Sequence, residues 1–233
     1  MKLYGNVGLT VPMMQRGISF PLDGNSSSTV TRKFLVNSNC PNLNPSIDGR
    51  KLCFMLKVKV GSNHNNQSIL MVGEPGTAKT TFSVGLTSTN VLEFKHRTAS
   101  GTAAVQTVAA GTTPLNEWIT LFINTSTTKS GSTIRPTLGA GAIYSTALGN
   151  KLLDLSIVNS TDPVVDVTSP NVYVGYGEPN GGVNNNFALT DFLRDVEVAE
   201  LVVFSGNLTG SEIDLIAKSH LGKNHFKSGL NNR

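Results

Sequence analysis

Three groups of residues have types and spacings that could do chemistry. Gly73-Glu74-Pro75-Gly76-Thr77-Ala78-Lys79-Thr80 has the outline of a phosphate-binding loop, whose backbone amides hold phosphate at a helix N-terminus. Ala78 stands where the second glycine belongs. Phe82, Val84 and Leu86 then alternate with small or polar residues, so the segment leads into a strand rather than a helix. A strand-connecting loop is predicted. Glu212 and Asp214 form the second group. Retaining glycoside hydrolysis requires two carboxyls about 5 Å apart, and a strand would point alternate acids into one cleft. The segment reads as helix, so the two acids are not held in that way. Glu212 is therefore predicted to cap a helix and not to act on a substrate. The third group, His64, His96, His220 and His225, shows no metal-ligand spacing within itself or with Cys40 and Cys53. No catalytic residue, metal or cofactor is expected.

Two further segments suit binding. Tyr176, Asn180, Asn184, Asn185 and Asn186 fall in one Gly- and Asn-rich stretch. Carboxamides and a tyrosine ring can hydrogen-bond to and stack on sugars, which makes this the candidate ligand loop, with a plain solvated turn as the alternative. Beyond Asp214 there is no acid, while Lys218, Lys223, Lys227 and Arg233 follow. Those four cations equal the whole net charge of +4, so the body is near neutral and the tail basic. The tail is either a solvated end or a contact for an acidic partner. Without interleaved aromatics it does not argue for nucleic acid.

The elements that must position these residues are mostly strands. The 233 residues carry only 15% charged side chains, and roughly 30% are Ser, Thr or Asn, as in β-rich, loop-rich chains. Strands are predicted at 51–60, 68–72, 81–86, 91–95, 117–123, 152–158, 171–175 and 196–204. Leu201-Val202-Val203-Phe204 is apolar on both alternating faces, so it predicts a strand buried on both sides. A helix follows. Thr209 is its N-cap, Glu212 completes a capping box, and Leu208 staples against Ile213. Ile213, Ile216, Ala217, His220 and Leu221 form its apolar face, and Gly222 stops it. Segments 1–17 and 223–233 are expected to be arms flanking a domain at 18–222. No stretch reaches the ~20 apolar residues of a membrane span. The first residues lack an apolar region with a small-residue cleavage site, so no secretory signal is expected. Cys40 and Cys53 are expected to be free thiols. Asn-x-Ser/Thr triplets at Asn25, Asn66, Asn124, Asn159 and Asn207 are read as chance.

The order of the pieces resembles the LamG/concanavalin A-like lectin and glucanase superfamily. Gly17-Ile18-Ser19-Phe20-Pro21-Leu22-Asp23-Gly24 is similar to its first strand and Asp-Gly turn, and Phe54 to Val60 to its F-W-V-K strand without the tryptophan. Leu115 to Leu121 is similar to its W-x-H-V-A strand without the histidine, Val172 to Gly175 to its L-x-I-G strand, and 196–216 to its closing strand and helix start. Glu212-Ile213-Asp214 also resembles the start of the laminarinase motif E-x-D-x-x-E, which in that family lies on a strand. The resemblance implies an all-β fold, a two-sheet antiparallel jelly-roll sandwich with one short C-terminal helix and extended terminal arms. That fold serves lectins, glycan hydrolases, adhesion modules and viral structural proteins, so it leaves function open. The leading expectation is a non-enzymatic virion structural protein, a bacteriophage capsid decoration (cement) or tail component. It would be assembled in the host cytoplasm, bind other virion proteins through its sandwich and arms, and form a homo-oligomer such as a trimer. The alternative is a carbohydrate-binding lectin module for host-surface glycans. Neither reading needs a membrane or nucleic acid.

Overall fold

The computed structural model describes residues 9–10, 18–20, 35–37, 39–61, 67–74, 79–87, 89, 91–97, 103–109, 111–167, 170–174 and 196–220. Two antiparallel sheets face each other. The larger runs β1 (Leu9–Thr10), β15 (Val196–Phe204), β4 (Lys51–Val60), β9 (Trp118–Ser130), β10 (Thr133–Leu138), β13 (Val158–Asn159). β2 (Ile18–Phe20) also pairs with β15, β11 (Gly141–Ser145) with β9, and β12 (Lys151–Leu155) with β11. The smaller sheet runs β3 (Leu35–Asn37), β14 (Asn171–Val174), β5 (Gln67–Glu74), β6 (Lys79–Leu86), β7 (Leu92–Arg97), β8 (Ala103–Thr107). A 3-10 turn at Pro41–Leu43 and the helix α1 (Gly210–His220) complete the described elements. The all-β sandwich with one short C-terminal helix is the predicted fold.

Alternation builds the core. Leu52, Phe54, Leu56, Val58 and Val60 of β4 face inward, as do Ile119, Leu121 and Ile123 of β9 and Leu201 and Val203 of β15. Val72, Phe82, Val84, Leu86, Leu92 and Phe94 answer them from the smaller sheet. Phe54 stacks on Phe82 across the gap, with centroids 4.6 Å apart and 17° between ring planes. Each such side chain contributes about 1.5–3 kcal/mol on burial, against about 1 kcal/mol for a typical hydrogen bond. Apolar burial therefore joins the two sheets, and the polar contacts decide their details.

β9 is long enough to serve two partners in turn. Its first part pairs with β11, from Ile119↔Ser145 to Phe122↔Ala142, and its second with β10, from Thr125↔Leu138 to Ser130↔Thr133. Gly131 turns the β9–β10 hairpin at φ 64°, a backbone region that glycine enters freely. β10 and β11 thus lie end to end along β9, with Gly139-Ala140 between them. Two close approaches make this possible. A Cβ on Gly139 would sit 2.9 Å from the Asn124 Cβ, and a Cβ on Gly141 would be driven into the Phe122 carbonyl oxygen.

The predicted strands at 51–60, 68–72, 81–86, 91–95, 117–123 and 171–175 match β4, β5, β6, β7, β9 and β14 to within a few residues, β9 running on to Ser130. The segment predicted at 152–158 is divided between β12 and β13. β8, β10 and β11 were not expected from the sequence. Small and hydroxyl-bearing residues, Pro136 and the two glycines hide their alternation. Of segment 1–17, Leu9–Thr10 pairs with Leu201 and Glu200, while 1–8 and 11–17 lie outside the described residues, as do 221–233. Gly141→Ala should lower stability by about 2–3 kcal/mol, because backbone must move to admit the methyl group. A urea unfolding midpoint equal to that of the parent chain would contradict this packing.

Candidate functional site

The outer face of the larger sheet carries a second, smaller core. Cys53, Met55, Phe122, Ala142 and Tyr144 gather there with Ile213 and Ala217 of α1. Val202, Phe204, Leu208 and Ile216 pack against them. This explains why Leu201 to Phe204 is apolar on both faces. Leu201 and Val203 meet the opposite sheet, while Val202 and Phe204 meet the helix side.

Local sequence starts the helix as expected. The Glu212 amide donates to Thr209 Oγ1 at 3.3 Å, and the Thr209 amide donates to Glu212 Oε2 at 2.7 Å. The bond from the Thr209 amide, and after it the Thr209 hydroxyl donating to Glu212 Oε2 at 2.8 Å, hold the Glu212 carboxyl below its ordinary pKa. Glu212 is committed to the cap. Asn124 then ties the helix approach to the sheet. Its Nδ2 donates to the Ala140 carbonyl at 2.6 Å and the Leu208 carbonyl at 2.7 Å, and its Oδ1 accepts the Leu208 amide at 3.0 Å. Cys53 lies fully buried in this layer, and burial pushes its thiol up to about 12. Cys40 packs against the main core instead, and both cysteines are free thiols.

Beside the helix lies a cluster of ionisable groups. The Tyr144 hydroxyl donates to Asp214 Oδ1, and Lys151 Nζ reaches Asp154 Oδ1 at 3.1 Å and Asp214 Oδ1 at 3.4 Å. The lysine also stands 5.9 Å from the Tyr144 ring centroid. Burial first, then the bond to Asp214, raises the Tyr144 pKa, while the Tyr144 bond first and Lys151 second lower that of Asp214. At neutral pH the phenol keeps its proton and the carboxylate keeps its charge. Such a pair latches a helix. It has neither the raised carboxyl pKa of a general acid nor a phenolate base. Further along the same face Lys59 bonds Glu197 at 3.2 Å, and burial lowers the Lys57 pKa next to Glu200.

Other sequence-predicted residues fall elsewhere. Lys79 and Thr80 belong to β6, paired with Glu74 and Gly73, so the phosphate-loop outline is a hairpin and no helix follows it. His96 is buried on the inner face of β7, opposite Phe82 and Ala104. Tyr176, Asn180, Asn184, Asn185 and Asn186 lie outside the described residues, in the segment that follows β14. So do His64, His225, Lys223, Lys227 and Arg233. Lys218 is exposed near the end of α1, and its charge reaches Asp214. Among the described residues no group of three or more His, Cys, Asp or Glu side chains could hold a metal ion. No described helix is long and apolar enough to cross a membrane. A cavity of ≈ 20 Å³ between the sheets, near Arg50, His96, Thr125 and Thr127, has room for about one water. No sequence signal singles out Tyr144, Lys151 or Asp154, and Asn124 stands in the sequence only as a chance triplet. Its burial and three hydrogen bonds supply the missing meaning.

Neither a family model nor a curated protein matches the chain. Solved structures do. A botulinum neurotoxin serotype D/C binding domain superposes with TM-score 0.54 at 14% identity, over 91% of this chain and 46% of that one. The receptor-binding domain of botulinum neurotoxin D gives 0.52 at 12%, over 91% and 46%. NanB, solved with Optactamide, gives 0.51 at 12%, over 86% and 27%. The chain spans less than half the length of each of these chains. At such identities the likeness is one of fold, the jelly-roll β-sandwich.

The latch has a pH signature. A carboxyl held below its ordinary pKa adds stability that is present above that ordinary value and lost as pH falls through the folded one. Asp214→Asn should therefore lower the melting temperature at neutral pH, by an amount that shrinks below about pH 4. A difference that stays constant down to about pH 3 would contradict the assignment.

Proposed function

We propose that the chain is a non-enzymatic binding module that recognises carbohydrate. One observation carries this reading. The two-sheet sandwich is shared with botulinum neurotoxin receptor-binding domains, one of which, with TM-score 0.50 and 13% identity, was solved in complex with SialylT. The charge state of the Tyr144–Asp214 pair favours a structural latch over proton transfer, which is consistent with binding without catalysis. The recognition surface is assigned to the segment after β14, where Tyr176 offers a ring and Asn180, Asn184, Asn185 and Asn186 offer carboxamides.

Within this reading the module is carried on a virus particle, as a capsid-decoration or tail protein of a bacteriophage, with other virion proteins as its partners. Low charge supports that placing, because broad apolar and hydrogen-bonded contacts suit a permanent assembly better than salt-sensitive ones. The basic run Lys218, Lys223, Lys227 and Arg233 is the part suited to an acidic partner surface.

The full-length chain should bind at least one glycan class on an array. Asn184→Ala with Asn185→Ala should weaken that binding about tenfold, the loss of one or two hydrogen bonds. Silence toward every glycan at millimolar sugar would remove the carbohydrate reading. Replacing Lys223, Lys227 and Arg233 by Glu should weaken attachment to particles and leave glycan binding unchanged. Unaltered attachment would count against the virion role of the tail.

A further inference from the structure

Among the described residues, one border of the larger sheet carries exposed apolar side chains. β12 pairs with β11 from Gly141↔Leu155 to Tyr144↔Lys151, and β13 pairs with β10 at Leu138↔Val158 and Thr137↔Asn159. Because β10 and β11 lie end to end, residues 151–159 form one border, and no described strand lies beyond it. Four of the six exposed large apolar side chains described fall on or beside this border. They are Leu148 at the β11–β12 turn (77% exposed), Leu152 (40%), Ile157 (61%) and, on the adjoining helix, Leu215 (67%). Leu215 follows Asp214, whose carboxylate meets Lys151, so the helix residue and the strand residues share one corner.

We propose that this border is a contact between two copies of the chain related by a two-fold axis. Exposed leucines at a sheet border supply the apolar area, and the charges select the partner. In Lys151-Leu152-Leu153-Asp154 the two charged residues are three apart and opposite in sign. Setting two such strands antiparallel, with the axis between Leu152 and Leu153, brings the Lys151–Asp154 ion pair of one copy, 3.1 Å within the chain, against that of the other, so that each lysine also faces the partner's Asp154 and Leu152 faces the partner's Leu153. The reciprocal pair forms on the other side of the axis. A two-fold contact must be self-complementary in this way, and a lysine–aspartate strand is. Lys151 and Asp154 both lie on the outer face of the sheet, opposite Tyr144 and Ala142, so both pairs can form on one surface.

The contact is made by side chains and not by extending the sheet. Between Ile143↔Leu153 and Tyr144↔Lys151 the register shifts, leaving Leu152 as the extra residue of a bulge. A bulge at a border interrupts a continuous hydrogen-bonded ladder, and Leu152 is left 40% exposed. The inference is independent of what the module binds.

Sedimentation equilibrium on the full-length chain and its variants tests this. The parent chain should self-associate as a dimer. Asp154→Lys and Lys151→Glu should each be monomeric, since each brings like charges together across the axis. Mixed in equal amounts, the two variants should form a heterodimer, because every cross-axis pair is then opposite in sign. Leu152→Asp, at an exposed position that folding does not require, should be monomeric even where Lys151→Glu disturbs the helix latch. A parent chain that stays monomeric at every concentration, variants that associate as the parent does, or a mixture that fails to pair would overturn the proposal.

Discussion

A single buried carboxamide, that of Asn124, sets the terms on which the larger sheet can be covered on both faces. Where β10 gives way to β11 the ladder along β9 is broken at Gly139-Ala140, and the Ala140 carbonyl would be left without a donor. Asn124 supplies that donor, and with its remaining donor and its oxygen it holds both backbone groups of Leu208. A buried polar group left unpaired costs about 1–3 kcal/mol, so one side chain removes several such penalties at once. The glycines at 139 and 141 are the steric condition for it, since neither position has room for a Cβ.

From that clamp the outer layer follows. Leu208 is fixed, so Thr209 and Glu212 can close the capping box and α1 descends onto Met55, Phe122 and Val202. The latch of Tyr144, Asp214 and Lys151 then secures the first half of the helix to β11 and β12. The result is a three-layer region, with helix, sheet and opposing sheet, inside an otherwise two-layer sandwich. Its ionisable groups are tuned to hold position. Among the described residues the geometry is therefore that of a rigid scaffold.

Much of this was legible in the chain. The capping box, the staple and the doubly apolar run at 201–204 are local patterns, and local physics decides them. The strands β4, β6 and β9 announce themselves through alternation. What could not be read is whatever depends on a distant partner. Asn124 looks like any other asparagine until Leu208, distant in sequence, arrives beside it. Asp214 looks like half of a catalytic pair until Tyr144 claims it. β10 and β11 were missed because their residues are chosen for close approach to β9 rather than for strand propensity, with Pro136 and Gly141 as the clearest cases. The candidate ligand loop at Tyr176 to Asn186 carries its signal in residue type alone.

Cys53 offers the most direct test of the clamp, since its thiol is fully buried in the layer that α1 covers. In a Cys40→Ser background, the rate of Cys53 alkylation by a neutral maleimide reports how often that layer opens. If Asn124 holds the helix down, Asn124→Ala should raise the rate about 30- to 100-fold, equivalent to about 2–3 kcal/mol of lost local stability. Cys53 as well protected in Asn124→Ala as in the parent would show that the helix is held by other means, and the account would fail at its centre.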